Sequence, residues 1–179
     1  LSTNDKCPAE HYGPPRYDSA ITLVKSRPDA ACLLTIPEQA AAYVLYLEMD
    51  NGTETISSQL LPSKLPGFHA LLTMAAYRRH WPDHRDVPLQ PRVLFVFTSA
   101  GRLENVQKRL IQDPTVLWHR PPPYKPTDED ARRALTFLDQ YVRFAFLGDL
   151  LATPYLLSSP LWHSVTGQPK LIYRKRESA

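Results

Sequence analysis

Apolar residues in this chain are concentrated in short runs that are separated by turns and prolines. Residues 44–49 and 93–97 are two such runs, rich in β-branched and aromatic side chains, and both have the length of a strand. The first run ends at the turn dipeptide Asn51-Gly52. Residues 65–80, which lie between the two runs, do not alternate as a strand would, and they predict a helix that Pro82 ends.

The order of the predicted elements indicates a mixed α/β sheet with a central crossover. Strands are predicted at residues 21–24, 30–36, 44–49, 92–98 and 115–118, and helices at residues 65–80 and 103–112. The first three strands would form a meander, because only a short connection through Pro37 and Glu38 joins the second to the third. The predicted core therefore reads βββαβαβ.

The chain changes in character after residue 119, where a proline cluster makes a stiff connector. Thr127 is a predicted N-cap, followed by acidic residues in the first turn of a helix that runs to about residue 147. Its wide apolar face indicates packing on the core or, alternatively, an interface for a homodimer or a protein partner. We therefore expect an α/β core with an irregular leader at 1–119 and a proline-linked helical extension at 120–179.

Composition favours one globular core. The chain has 179 residues, of which 43% are hydrophobic and 22% are charged. No apolar run approaches the ~20 residues of a membrane span, no signal peptide opens the sequence, and two cysteines make no disulfide framework. These features predict a cytoplasmic protein without a membrane partner. The first residue is Leu1 and not Met, which suggests a fragment or a processed or trimmed chain.

Basic residues occur in two clusters, although the net charge is only +3. One cluster lies at the end of the predicted 65–80 helix and the other near the end of the chain. The residues that we expect to contact nucleic-acid phosphates are Arg78, Arg79, Arg85, Lys170, Arg174, Lys175 and Arg176. The alternative for both clusters is a solvated surface, since short basic runs usually do no more than that.

An acidic site is predicted at the end of the 44–49 strand. Glu48 and Asp50 are two residues apart, so they emerge on the same side of a strand. Antiparallel pairing with the preceding strand brings Asp29 close to both of them. Three carboxylates repel one another, and a hard divalent cation such as Mg²⁺ is the usual compensation. Asp29, Glu48 and Asp50 are therefore the predicted metal ligands.

The spacing Pro28-Asp29 followed by Glu48-Met49-Asp50 resembles the PD-(D/E)XK nuclease superfamily. The longer string from Glu48 to Glu54, with Lys64 and a helix carrying Tyr77 downstream, resembles the C-terminal domain of the replication-relaxation proteins of plasmids and other mobile elements. The likeness covers about residues 18–113.

The resemblance implies a restriction-endonuclease-like fold and a nuclease that uses Mg²⁺ or Mn²⁺ on DNA. Catalytic roles then fall to Asp29, Glu48, Asp50 and Lys64. The chain departs from the family at Asp50, which stands where the motif has its lysine, two residues after Glu48. In some members of the superfamily the lysine lies on the following helix, and Lys64 is the residue that would replace it here. The superfamily often has an acidic residue before the first strand, for which Glu10 or His11 is the candidate.

Three other interpretations remain open at the level of sequence. Glu48 and Asp50 are also typical of polar residues where a strand leaves a sheet, and Asp29 of a turn residue beside proline. A catalytically inactive DNA- or protein-binding module would keep the same fold. A regulator that dimerises through the 127–147 helix is the third. The positions of Lys64 and Asp29 relative to Glu48 discriminate between a nuclease and the inactive module.

Overall fold

A computed structural model describes residues 6–8, 23–25, 27–36, 41–56, 60–118 and 125–172. Its strands are β1 (Lys6–Pro8), β2 (Leu23–Lys25), β3 (Ala30–Thr35), β4 (Ala42–Asp50), β5 (Leu89–Phe97), β6 (Val142–Phe146), β7 (Trp162–His163) and β8 (Pro169–Lys170). Its α-helices are α1 (Leu61–Thr73), α2 (Ala100–Gln112), α3 (Asp128–Tyr141) and α4 (Leu147–Leu151), and 3-10 helices cover Ala76–His80, Pro82–His84 and Pro114–Leu117. The protein is therefore α/β.

The main sheet has six strands in the order β3-β4-β5-β6-β7-β8. The central strands β4, β5 and β6 are parallel to one another, and β3, β7 and β8 pair antiparallel at the two sides. The antiparallel pairing of β3 with β4 and the crossover from β4 to β5 are confirmed. The carboxyl ends of β4, β5 and β6 lie along one edge of the sheet.

The two faces of the sheet are covered by different parts of the chain. On one face, Tyr46 of β4 and Phe95 of β5 belong to a large core that includes α1, α2 and α3. On the other face, Leu45 and Leu94 pack in a smaller cluster that includes Trp162. Because both faces are covered, residues 43–47 of β4 and 93–97 of β5 are apolar without alternation.

The predicted meander of three strands is wrong. Leu23–Lys25 pairs with Lys6–Pro8 in a separate two-stranded sheet and not with β3. A strand needs a partner for its backbone N–H and C=O groups, and the leader, predicted to be irregular, supplies one. The predicted order βββαβαβ is therefore wrong for the core.

Two predicted elements differ in kind from the observed ones. The expected strand at 115–118 is a 3-10 helix, Pro114–Leu117, in which proline stands at the start and fixes a helical φ. The helix predicted to reach residue 147 ends at Tyr141, and Val142–Phe146 continues as strand β6. Strands β6 to β8 come from the predicted extension 120–179 and belong to the same sheet as β3 to β5.

Helix α1 begins at Leu61, four residues before its predicted start, and it ends at Thr73 instead of near residue 80, where the chain forms the 3-10 helix Ala76–His80. Pro62 is compatible with this beginning, because the first N–H groups of a helix have no partner inside the helix. Lys64 therefore lies in the first turn of α1. No helix in the described ranges is long and apolar enough to cross a membrane.

Candidate functional site

The structure brings Asp29, Glu48 and Lys64 together at the carboxyl edge of the parallel strands. Ala30 pairs with Leu47, and the Asp29 N–H donates to the Leu47 carbonyl at 2.9 Å. The Asp29 carboxylate then accepts a hydrogen bond from the Met49 N–H at 2.8 Å, which holds it beside Glu48. This edge is where ligands commonly bind to α/β sheets with parallel strands.

Lys64 contacts Glu48 directly. The Lys64 Nζ lies 2.8 Å from Glu48 Oε2, so the lysine on the following helix reaches the acidic site. Glu48 is only 3% exposed, whereas the Lys64 side chain is 26% exposed. The carboxylate is thus more deeply buried than the ammonium with which it pairs.

Burial raises the pKa of Glu48 to about 7, and the hydrogen bond and positive charge of Lys64 oppose this shift only in part. Asp29 and Glu54 contribute further negative charge that disfavours ionisation of Glu48. Burial alone would lower the pKa of Lys64, but the hydrogen bond and charge of Glu48 outweigh it and raise that pKa above 10.5. A proton is therefore readily held at Glu48 near neutral pH.

Asp50 is not grouped with these residues. It is 4% exposed and forms an ion pair with Arg102, which stands in the first turn of α2. The Arg102 Nη2 donates to Asp50 Oδ1 at 3.0 Å, and the same oxygen accepts the Gly52 N–H at 3.0 Å. The Arg102 guanidinium also donates to the Glu54 carbonyl. Asp50 thus holds the turn after β4 against α2, as expected for a polar residue at a strand end.

The family-like string supplies a further acidic residue, Glu54, to which the sequence assigned no chemistry. Glu54 is half-buried, and its charge acts on both Glu48 and Lys64. Glu54 Oε2 and Glu48 Oε1 are buried and have no hydrogen-bond partner among the residues that the structure describes. Unpaired buried carboxylate oxygens are atoms that a bound cation would satisfy.

The described residues contain no group of three or more His, Cys, Asp or Glu side chains arranged to hold a metal ion. The predicted trio of Asp29, Glu48 and Asp50 is therefore reduced to the first two. Two carboxylates still fit Mg²⁺, because this ion usually keeps several waters and takes its other ligands from substrate phosphates. The unpaired Glu48 Oε1 is consistent with that arrangement.

Arg102 was missed by reasoning from the sequence. Its only signal is its place in the first turn of a helix that follows a buried strand, and that signal does not name a partner. Asp50 and Arg102 are 52 residues apart, so their contact depends on how β4 and β5 lie side by side. No periodicity within either segment contains this information.

The predicted nucleic-acid residues have different surroundings. Arg78, Arg79 and Arg85 are exposed and line one pocket. Lys170 lies with its Nζ 3.6 Å from Asp139 Oδ2. Arg174, Lys175 and Arg176 lie outside the described residues, as do Glu10 and His11.

Comparison with protein-family models, curated proteins and solved structures gives no match to this chain. The resemblance to the replication-relaxation family therefore rests on the quoted motif residues alone.

Proposed function

We propose that this protein is a metal-dependent nuclease, or a nuclease-like DNA-processing domain, of a mobile-element replication or transfer protein. The observation that carries the proposal is the contact between Lys64 and the buried Glu48, with Asp29 hydrogen-bonded to the backbone next to Glu48. This is the arrangement that the PD-(D/E)XK motif requires once its lysine has moved to the following helix. The proposal includes a restriction-endonuclease-like fold for the part of the chain that contains the main sheet.

Asp29 and Glu48 would hold Mg²⁺ or Mn²⁺ at this site. The bound ion would polarise a phosphodiester and lower the pKa of a water molecule. Lys64 would stabilise the negative charge that develops on the phosphate, since a partly buried ammonium is effective where water is excluded. Asp50 would act indirectly, because it holds Arg102 and the turn that carries Glu54 in place.

The first experiment is calorimetric titration of the chain with Mg²⁺ and with Mn²⁺, combined with a plasmid-nicking assay. Glu48→Ala is expected to abolish saturable binding and nicking together. Lys64→Ala is expected to retain metal binding and to slow nicking by about 10²- to 10³-fold, the usual cost of losing one charge-stabilising group. Glu104→Ala, an exposed glutamate on α2, is the matched control and should behave as the parent chain.

A second function is favoured by a different observation. Lys64 pairs with Glu48, and Arg102 pairs with Asp50, so two of the carboxylates have a cationic partner without a metal. A catalytically inactive DNA- or protein-binding accessory module would retain these two ion pairs. It predicts no metal binding in the calorimetry, no nicking, and a DNA mobility shift that Glu48→Ala leaves unchanged.

A homodimer or protein partner was predicted to bind through the 127–147 helix. In the structure, Ala134, Phe137 and Leu138 of α3 are buried in the main core. Core packing therefore accounts for that apolar face, and an interface between copies would need a different surface.

A further inference from the structure

A pocket of about 410 Å³ lies where the chain passes from α1 into β5. Its lining comes almost entirely from the two 3-10 helices and the residues that follow them. The lining residues are Arg78, Arg79, Trp81, Pro82, His84, Arg85 and Leu89.

The position of the pocket is fixed by the main sheet. The Tyr46 hydroxyl of β4 and His80 Nδ1 are 3.0 Å apart in a hydrogen bond, which ties the first 3-10 helix to the sheet. Leu89 pairs with Ala42, whereas Glu48 pairs with Phe95 six positions further along β5. At about 3.3 Å per residue, the Leu89 and Glu48 levels are roughly 20 Å apart. The pocket is thus separate from the Glu48 site.

The lining of this pocket carries the positive charge of three arginines. No described carboxylate pairs with Arg78, Arg79 or Arg85, and no carboxylate lines the pocket. Asp83 and Asp86 belong to the same segment, but they are not among the lining residues. Arginine guanidinium groups bind phosphate through paired N–H donors, so the lining suits an anion of this kind.

Apolar and aromatic residues form the rest of the lining. Trp81 is half-buried and packs against the main core, beside Pro82 and Leu89. An indole ring in the lining suits a flat, apolar ring such as a nucleobase.

We propose that this pocket binds a nucleoside phosphate, with the phosphate on the arginines and the base against Trp81. The pocket volume is within the range of small-molecule sites, and it combines a few charged groups with apolar walls. The ligand is either a free nucleotide or one nucleotide of a single strand. Binding here does not depend on hydrolysis or metal at Glu48.

The test is calorimetric titration at low, fixed salt with deoxyadenosine monophosphate, inorganic phosphate and deoxyadenosine. The nucleotide is expected to bind saturably and more tightly than either part alone. Arg85→Gln should weaken nucleotide binding about tenfold or more, because the substitution removes charge-assisted hydrogen bonds. Trp81→Leu should weaken binding of the nucleotide but leave binding of inorganic phosphate unchanged. Circular dichroism checks that both variants fold, and since Arg85 is exposed its substitution should not disturb the core.

Two controls separate this site from general electrostatics and from the site at Glu48. Arg132→Gln removes one exposed arginine from α3, far along the chain from the pocket, and should change affinity less than twofold. Glu48→Ala should also leave nucleotide binding unchanged. A failure of the proposal for the pocket can therefore be distinguished from a failure of the proposal for the Glu48 site.

A single-stranded decanucleotide distinguishes the two sources of the ligand. Arg85-dependent binding tighter than that of the mononucleotide identifies a nucleic-acid strand, and equal or weaker binding identifies a free nucleotide. The proposal is overturned if neither the mononucleotide nor the decanucleotide binds saturably, or if inorganic phosphate binds as tightly as the mononucleotide. It is also overturned if Arg132→Gln weakens nucleotide binding as much as Arg85→Gln does.

Discussion

At the scale of single residues, Glu48 is a buried acidic residue with a raised pKa. It is a carboxylate at the end of a central strand, 3% exposed, with one oxygen on Lys64 and the other without a partner among the described residues. Burial penalises its charged form more than Lys64 favours it, so its pKa rises from 4.5 to about 7.

The raised pKa of Glu48 predicts a specific pH dependence of stability. Between pH 4.5 and about 7 the folded protein keeps a proton that the unfolded chain has released, so the free energy of unfolding falls as the pH rises. The full shift corresponds to about 3 kcal/mol. The raised pKa of Lys64 acts only above 10.5, outside this window.

Denaturant unfolding of the parent chain and of Glu48→Gln at several pH values between 4 and 8 measures the effect. The parent should lose up to about 3 kcal/mol relative to the variant as the pH rises. Glu104→Gln, an exposed glutamate, should follow the parent throughout. A constant difference between the parent and Glu48→Gln would mean that Glu48 titrates normally.

At the scale of elements, the end of α1 determines where the pocket arginines lie. Ala75 has φ 52° and ψ 25°, a left-handed conformation that residues with a Cβ rarely adopt. Its N–H donates to the Leu72 carbonyl at 3.2 Å, and the chain then turns into the 3-10 helix Ala76–His80. This reversal presents Arg78 and Arg79 next to Trp81.

Ala75→Gly is expected to stabilise the protein by about 0.5–1 kcal/mol, because glycine adopts this conformation without the Cβ penalty. Ala131→Gly, inside α3, should have the opposite sign and cost about 1 kcal/mol. Thermal and denaturant unfolding of the two variants provide the comparison. Destabilisation by Ala75→Gly would show that packing of the Ala75 methyl group outweighs the backbone strain.

At the scale of the whole molecule, β6 joins the two parts of the chain in one core. Phe144 of β6 is fully buried and stacks with Phe95 and Phe97 of β5, with ring centroids 5.9 and 6.4 Å apart. Helices α1, α2 and α3 cover the same face of the sheet. A strand from the predicted extension thus supplies part of the main core.

Phe144→Ala should therefore destabilise the entire described sheet, by about 3–5 kcal/mol. Leu151→Ala is a matched truncation at a side chain that is 78% exposed, and it should cost less than about 0.5 kcal/mol. Unfolding is followed by circular dichroism and tryptophan fluorescence, whose transitions should coincide in both variants. A loss below about 1 kcal/mol, or two separate transitions, would mean that β6 packs independently of β5.

The sequence by itself determined the parts of this protein that depend on local pattern. The apolar runs identified β4 and β5, the absence of alternation identified α1, and the N-cap at Thr127 identified the start of α3. The proximity of Asp29 to Glu48 could also be predicted, because a short connection between two strands fixes their pairing.

The tertiary structure decided the rest. Residues 142–146 are predicted as the end of a helix, but they form a strand because they pair with β5. Asp50 has no local feature that distinguishes it from Glu48, yet one carboxylate meets Arg102 and the other meets Lys64. Periodicity reports which face of an element is buried, but the partner of a buried charge depends on which distant segment covers that face.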